Sequence, residues 1–299
     1  MRLSVWPNPQ QPFADVLAIV KHAEETGWDG AWFADHFMPN AEDVSGPYLE
    51  CWTTIAGLAA STSRIRIGAL VSGNTYRHPA VLAKQATTID DIAGGGRIVL
   101  GIGGGWQENE HRAYGIEFSD VKGRLARLDE ACQLITGLLN EDRASFKGQF
   151  YELRDAPLEP KPKPKMPLLV GGGGEKVTMR IAAQYADEWN IWGSPELLER
   201  KNKILDDHCA KFNRDPKEIK RSANALLFMS DDEDWLAKRR EGAGNIPMPN
   251  IIGRPEEMAE VVHRYEEAGV DELILPDFTL GPLDRKLATY DQFLAAVGR

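Results

Sequence analysis

Apolar residues in this chain fall into two kinds of run. Short β-prone stretches such as Arg2–Trp6 and Arg97–Gly103 alternate with longer ones, such as Pro12–Thr26 and Val121–Leu139, in which apolar positions return every three or four residues. The first kind suits strands of a parallel sheet, the second amphipathic helices. Eight strands are predicted: Arg2–Trp6, Gly30–Ala34, Ile65–Ser72, Arg97–Gly103, Leu168–Gly172, Glu188–Trp192, Ser222–Met229 and Glu272–Leu275. The helices predicted between and after them are Pro12–Thr26, Cys51–Thr62, Ala80–Ala93, Val121–Leu139, Lys176–Tyr185, Pro195–Phe212, Pro255–Ala268 and Leu283–Val297. Many open with Pro or Ser and close near Gly. Eight βα units in one chain predict an α/β fold, a closed (β/α)8 TIM barrel with insertion loops at the C-terminal mouth, formed by residues 1–299 as one domain.

Two segments depart from the alternation. Pro157–Pro167 (PLEPKPKPKMP) favours extended chain. Because strand pattern resumes at Leu168 and neither half has enough strands to close a barrel, it is expected to be an insertion and not an interdomain linker. Gly242–Gly253, with three glycines and two prolines, reads as a long mobile loop over the mouth.

Composition narrows the function classes. With 45 acidic against 35 basic residues and a formal net charge of -10, the chain has no basic balance for nucleic acid or an anionic membrane surface. A small-molecule substrate is the default. Cys51, Cys132 and Cys209 lie far apart without a CxxC pair, so no disulfide framework and no metal site are expected. The apolar run after Met1 ends at Pro7, too short for a signal peptide, and no stretch approaches about 18 unbroken apolar residues. A cytoplasmic location is expected.

In a barrel of this kind chemistry gathers where strands end and helices begin. The second strand runs into Asp35 and His36. A carboxylate beside an imidazole orients the ring and favours its protonated form, as acid–base work near neutrality requires; the same pair also suits a turn cap and a satisfied polar side chain. The third strand leads to Gly73, which admits close approach of a flat ring, and Asn74, which can bond a polar ring edge. An ordinary polar loop has the same composition. After the fourth strand, GIGGGWQENEH has Trp106 where a dinucleotide fingerprint needs glycine, and it is not HExxH. Glu108 stands as a candidate proton donor there, with a solvated acidic helix start as the alternative. Gly171, Gly172, Gly173 and Gly174 follow the fifth strand; Glu175 separates them from Lys176, which excludes a P-loop. Bare N–H groups at a helix start nevertheless suit a phosphate. Trp6, Trp32, Trp106 and Trp192, at or near strand ends, fit either a flat, apolar substrate or core packing.

Taken together, WFADHF, SGNTYRHPAVLAKQ, GGGRIVLGIGGGWQENEHRAYGI and GGGG followed by RIAAQYADEWN resemble the luciferase-like F420-dependent oxidoreductases along nearly the whole chain. The resemblance implies coenzyme F420 lying across the barrel mouth. Its ring would rest on a bulge with a non-prolyl cis peptide around Val71, Ser72 and Gly73. His36 is implied as the proton-transfer residue, Asp35 as a cofactor contact, Glu108 as an acid, and Gly171 to Gly174 as the seat of the ribityl-phosphate region. The basic residues with which sugar-phosphate dehydrogenases of this family grip their substrate have no visible counterpart. Hydride transfer between F420 and a small organic substrate is the leading expectation. Its alternatives are an FMN-dependent monooxygenase served by a separate reductase and a non-catalytic flavin-binding accessory protein. The family also implies a homodimer.

Overall fold

A computed structural model describes residues Met1–Arg299. The predicted alternation closes into a ring of eight parallel strands: β1 (Arg2–Trp6), β2 (Gly30–Phe33), β3 (Arg66–Ala69), β4 (Ile98–Gly103), β5 (Leu168–Gly171), β6 (Glu188–Trp192), β7 (Lys220–Asn224) and β8 (Glu272–Pro276). Each strand pairs with the next. β8 closes on β1 with Arg2 opposite Glu272 and Trp6 opposite Pro276. Along the strands Trp32, Val99, Leu169 and Ile274 turn into the barrel, while Phe33, Leu100, Val170 and Leu273 join the larger apolar cluster with the helices. Burial on both faces is why the strands read as near-continuous apolar runs. The predicted helices form to within three residues at either end, and Ser194 caps Pro195–Lys211 by accepting from Leu197 N–H. No helix is long and apolar enough to cross a membrane, and all three cysteines are buried and unpaired.

The N-terminal end of the ring is closed by charge. Buried Glu272 accepts from Ser4 Oγ at 2.5 Å and Trp32 Nε1 at 2.7 Å, and Arg66 reaches both Glu272 (3.1 Å) and Glu188 (2.6 Å). Trp32 therefore belongs to the base of the barrel, not to its mouth.

Besides two added helices, Glu108–Tyr114 and Glu233–Gly242, the structure departs from the pattern at four places, each for a local reason. The third strand stops at Ala69, the Leu70–Val71 peptide is cis, and pairing resumes at Ser72–Gly73 beside Ile102–Gly103. The side chain of Val71 packs over the ends of β4 and β5: a Cβ on Gly103 would lie 2.7 Å from one of its methyls, and a Cβ on Gly171 2.8 Å from the other. The seventh strand divides at Ala225, and its continuation Leu226–Met229 leaves the ring to pair with Asn250–Gly253. Gly242–Gly253 is therefore not one loop; its last four residues are a strand too short to announce itself by periodicity. A hairpin of Ala144–Lys147 and Glu152–Ala156 precedes the proline-rich segment, its strands polar and largely exposed and so without an apolar signature. Finally, the helix expected from Lys176 begins at Thr178, leaving Glu175 free to turn toward its neighbours.

Replacing Gly171 by Ala places a methyl against both branches of Val71, whose χ1 is stiff. The expected loss of unfolding free energy is about 1–3 kcal/mol, read from urea titration. An unchanged midpoint would show that Val71 is not seated this way.

Candidate active site

The strand ends at the C-terminal mouth surround a cavity of about 1290 Å³. That exceeds the roughly 300–1,000 Å³ usual for a single drug-sized ligand, so it has room for two molecules side by side. Of the residues singled out by sequence, Asp35, His36, Val71, Ser72, Gly73 and Gly171 to Gly174 line it; Glu108 and Asn74 do not.

His36 is placed by the turn after β2. Its Nδ1 lies 2.7 Å from Oε1 of Glu110, which is fully buried. Glu110 also accepts from Phe37 N–H at 2.7 Å and from the Tyr76 hydroxyl. Burial alone pushes the Glu110 carboxyl up, but these three donors outweigh it and hold the group below the ordinary glutamate value. Burial and the adjacent carboxylate raise Tyr76, which stays a protonated donor. An ionised carboxylate only accepts, so Nδ1 carries the hydrogen and Nε2 is left to exchange a proton.

The partner expected beside His36 behaves differently. Asp35 is buried and held by both arms of Arg77 at 2.6 and 3.0 Å, and Arg77 also reaches Glu50 at 2.5 Å. Burial pushes the Asp35 carboxyl up and the guanidinium opposes it. This pair fixes the turn after β2 to the loop after the bulge. The acidic turn after the fourth strand and the family resemblance named Glu108; the carboxylate that reaches His36 is Glu110. The segment Glu108–Tyr114 is a helix, and residues two apart face opposite ways on a helix. Glu108 is exposed and pairs with Arg112 at 2.7 Å one turn on, while Glu110 and His111 point inward. The Glu108–Arg112 spacing was the available signal that Glu108 lies on the solvent face. Asn74 is buried away from the cavity, its amide donated to the Tyr151 hydroxyl at 3.3 Å.

The glycine run ends beside two cationic side chains. Gly172 sits at φ 125°, a backbone conformation only glycine adopts readily, and Thr178 opens the following helix. Lys201, from Pro195–Lys211, donates to Gly173 O at 2.7 Å and to Glu175 at 2.8 Å, and Arg200 reaches Glu175 at 2.7 Å. Lys201 and then Arg200 hold Glu175 down to about 2. Two cations that now share a solvent-exposed carboxylate are therefore beside the backbone of Gly173 and Gly174.

A family model described as luciferase-like monooxygenase matches residues 1–241. The F420-dependent glucose-6-phosphate dehydrogenase of Intrasporangium calvum is 36% identical, with 92% of this chain and 91% of that protein aligned. Proteins of the same name from Amycolatopsis mediterranei (36% identical) and Kineococcus radiotolerans (40%) align over 58% and 52% of this chain, and the match spans only 50% and 46% of their lengths. Among solved structures, an F420-dependent secondary alcohol dehydrogenase in complex with an F420-acetone adduct superposes with a TM-score of 0.86 at 20% identity, covering 100% of this chain and 99% of that one. The coenzyme F420-dependent tetrahydromethanopterin reductase from Methanopyrus kandleri superposes at 0.79 with 18% identity, covering 99% and 97%. These structural likenesses carry the fold.

Because Glu110 lies below its ordinary 4.5 in the folded chain, it favours folding above that pH, and the contribution is lost as pH falls through the folded value. Unfolding titrations of the wild type and Glu110→Gln should differ by about 2 kcal/mol near neutrality and converge at acid pH. A gap that persists into strong acid would assign the effect to packing instead.

Proposed function

The chain belongs to the luciferase-like monooxygenase family, and on that premise we propose that it is an oxidoreductase transferring a hydride between coenzyme F420 and a small organic substrate. The observation that carries this reading is the His36–Glu110 pair on the rim of a cavity that the bulge and two glycine runs also line. The names of the full-length relatives support the same cofactor.

The residues fit such a group. Val71, Ser72 and Gly73 offer a small apolar ledge for a flat ring. Of Gly171 to Gly174, which line the cavity, Gly173 and Gly174 offer backbone N–H groups, Gly172 N–H being donated to Asn190 O, and Lys201 and Arg200 offer positive charge for a phosphate. Bound there, F420 supplies two-electron hydride chemistry and little reactivity toward oxygen. The protein's own part is positional. Glu110 fixes the His36 tautomer, and His36 Nε2 holds or accepts the substrate proton. Trp106 lies edge-on to the His36 ring at 5.4 Å and narrows access to it. Asp35, through Arg77, keeps the turn that presents the histidine in place. Glu108 has no part in this reading.

Replacing His36 by Ala should lower turnover by about 10²–10⁴-fold while F420 affinity, followed by deazaflavin fluorescence, stays within a few-fold. Tight FMN binding with no response to F420 would replace the cofactor assignment with the FMN-dependent one. Turnover that survives in His36→Ala would remove the histidine from the chemistry.

A further inference from the structure

The order of strands around the ring sorts the mouth into two halves. The ends of β3, β4 and β5 are consecutive and carry Ser72–Gly73, Gly103–Gly105 and Gly171–Gly174. Every Lys or Arg that lines the cavity sits with these glycines: Arg124 donates to Gly105 O at 3.0 Å, and Lys201 and Arg200 flank Gly173 and Glu175. The ends of β6, β7, β8 and β1 form the other half. There Trp6 packs 5.5 Å from Trp192 and 5.4 Å from Phe278, making one continuous aromatic wall, with Met248 also lining the cavity. His36, after β2, stands at the seam between β1 and β3.

Arg200 and Lys201, on the helix that follows β6, turn to Glu175; the other side chains that line the cavity from this half are uncharged. Its polar floor is already satisfied, because Asn190 and Asn224 exchange two amide hydrogen bonds at 3.0 Å and Asn190 also donates to Ser222 Oγ at 2.9 Å. A phosphate placed there would lose its water with only neutral side chains such as Asn8 and Gln10 to meet it and no counter-ion, which strongly disfavours it. A planar apolar group would instead meet Trp6, Trp192 and Phe278, with Phe278 set edge-on to Trp6.

Resting on the F420 reading, we propose that the substrate is an uncharged, ring-bearing alcohol or the corresponding ketone, its ring against Trp6, Trp192 and Phe278 and its oxygen toward His36. Sugar phosphates are excluded from this half. In the oxidative direction the carbinol C–H and O–H bonds break and a C=O double bond forms; two electrons leave with the hydride to the cofactor, and the hydroxyl proton goes to His36 Nε2. Reduction runs the same balance backwards. The specificity residues are Trp192 and Phe278, which come from different strand ends and meet the ligand from two sides.

The test uses purified full-length protein saturated with F420, offered 1-phenylethanol, acetophenone with reduced F420, and glucose 6-phosphate. The aryl pair should saturate, and glucose 6-phosphate should not. Phe278→Ala and Trp192→Ala should each raise KM for the aryl pair about ten- to a hundredfold with kcat within a few-fold. Calorimetric titration of acetophenone should weaken in parallel, and F420 affinity should not. Saturable turnover of glucose 6-phosphate, or aryl KM values unmoved by both variants, overturns the proposal, as does F420 binding with no acetophenone binding. Failure to bind F420 overturns the cofactor reading instead, and acetophenone titration into the cofactor-free protein and the two variants then decides whether the wall binds aryl ligands.

Discussion

A carboxylate removed from water must be met by donors or give up its charge, and the mouth of this barrel is organised around one that is so met. Glu110 draws a ring nitrogen and a backbone N–H from the turn after β2, and a phenol from the loop beyond the bulge after β3, onto a helix that follows β4. Three separate loops thereby become one rigid piece. The Asp35–Arg77–Glu50 cluster ties the same turn to the same loop from behind. His36 inherits its orientation from this assembly, which is the kind of support an acid–base residue needs if its geometry is to be ready before substrate arrives.

The bulge is supported from the other side. Val71 occupies the place that side chains on Gly103 and Gly171 would take. These glycines, which in sequence suggest room for a ligand, are needed first for room within the protein. Their usefulness to a ligand follows from that packing, since the seated bulge brings Ser72 and Gly73 to the cavity. The glycines of the run after β5 have a different character. Gly173 and Gly174 form the corner where Lys201 and Arg200 are shared with an exposed carboxylate.

The architecture was legible because its signal is repeated. Eight apolar runs alternate with eight amphipathic ones, and burial of both strand faces makes each run visible without reference to any other. Elements that escaped were short, polar or both: the Ala144–Ala156 hairpin, the Asn250–Gly253 strand, the helix carrying Glu110 and the polar helix Glu233–Gly242. His36, Asp35 and the glycine run after β5 were legible as residues of the cavity because they follow strand ends. Glu110, Arg77 and Lys201 were not, since each acts through partners at least 26 residues away.

What the sequence by itself determined is therefore periodic: strand and helix order, closure of the ring, and which loops share the catalytic end. Tertiary structure alone decided which of two nearby glutamates faces inward, which tryptophans leave the base for the mouth, and which half of the mouth carries charge. The reason is geometric. Periodicity records how a residue relates to its own element, whereas a hydrogen bond, a seated methyl or a continuous aromatic wall depends on elements brought together only when the barrel closes.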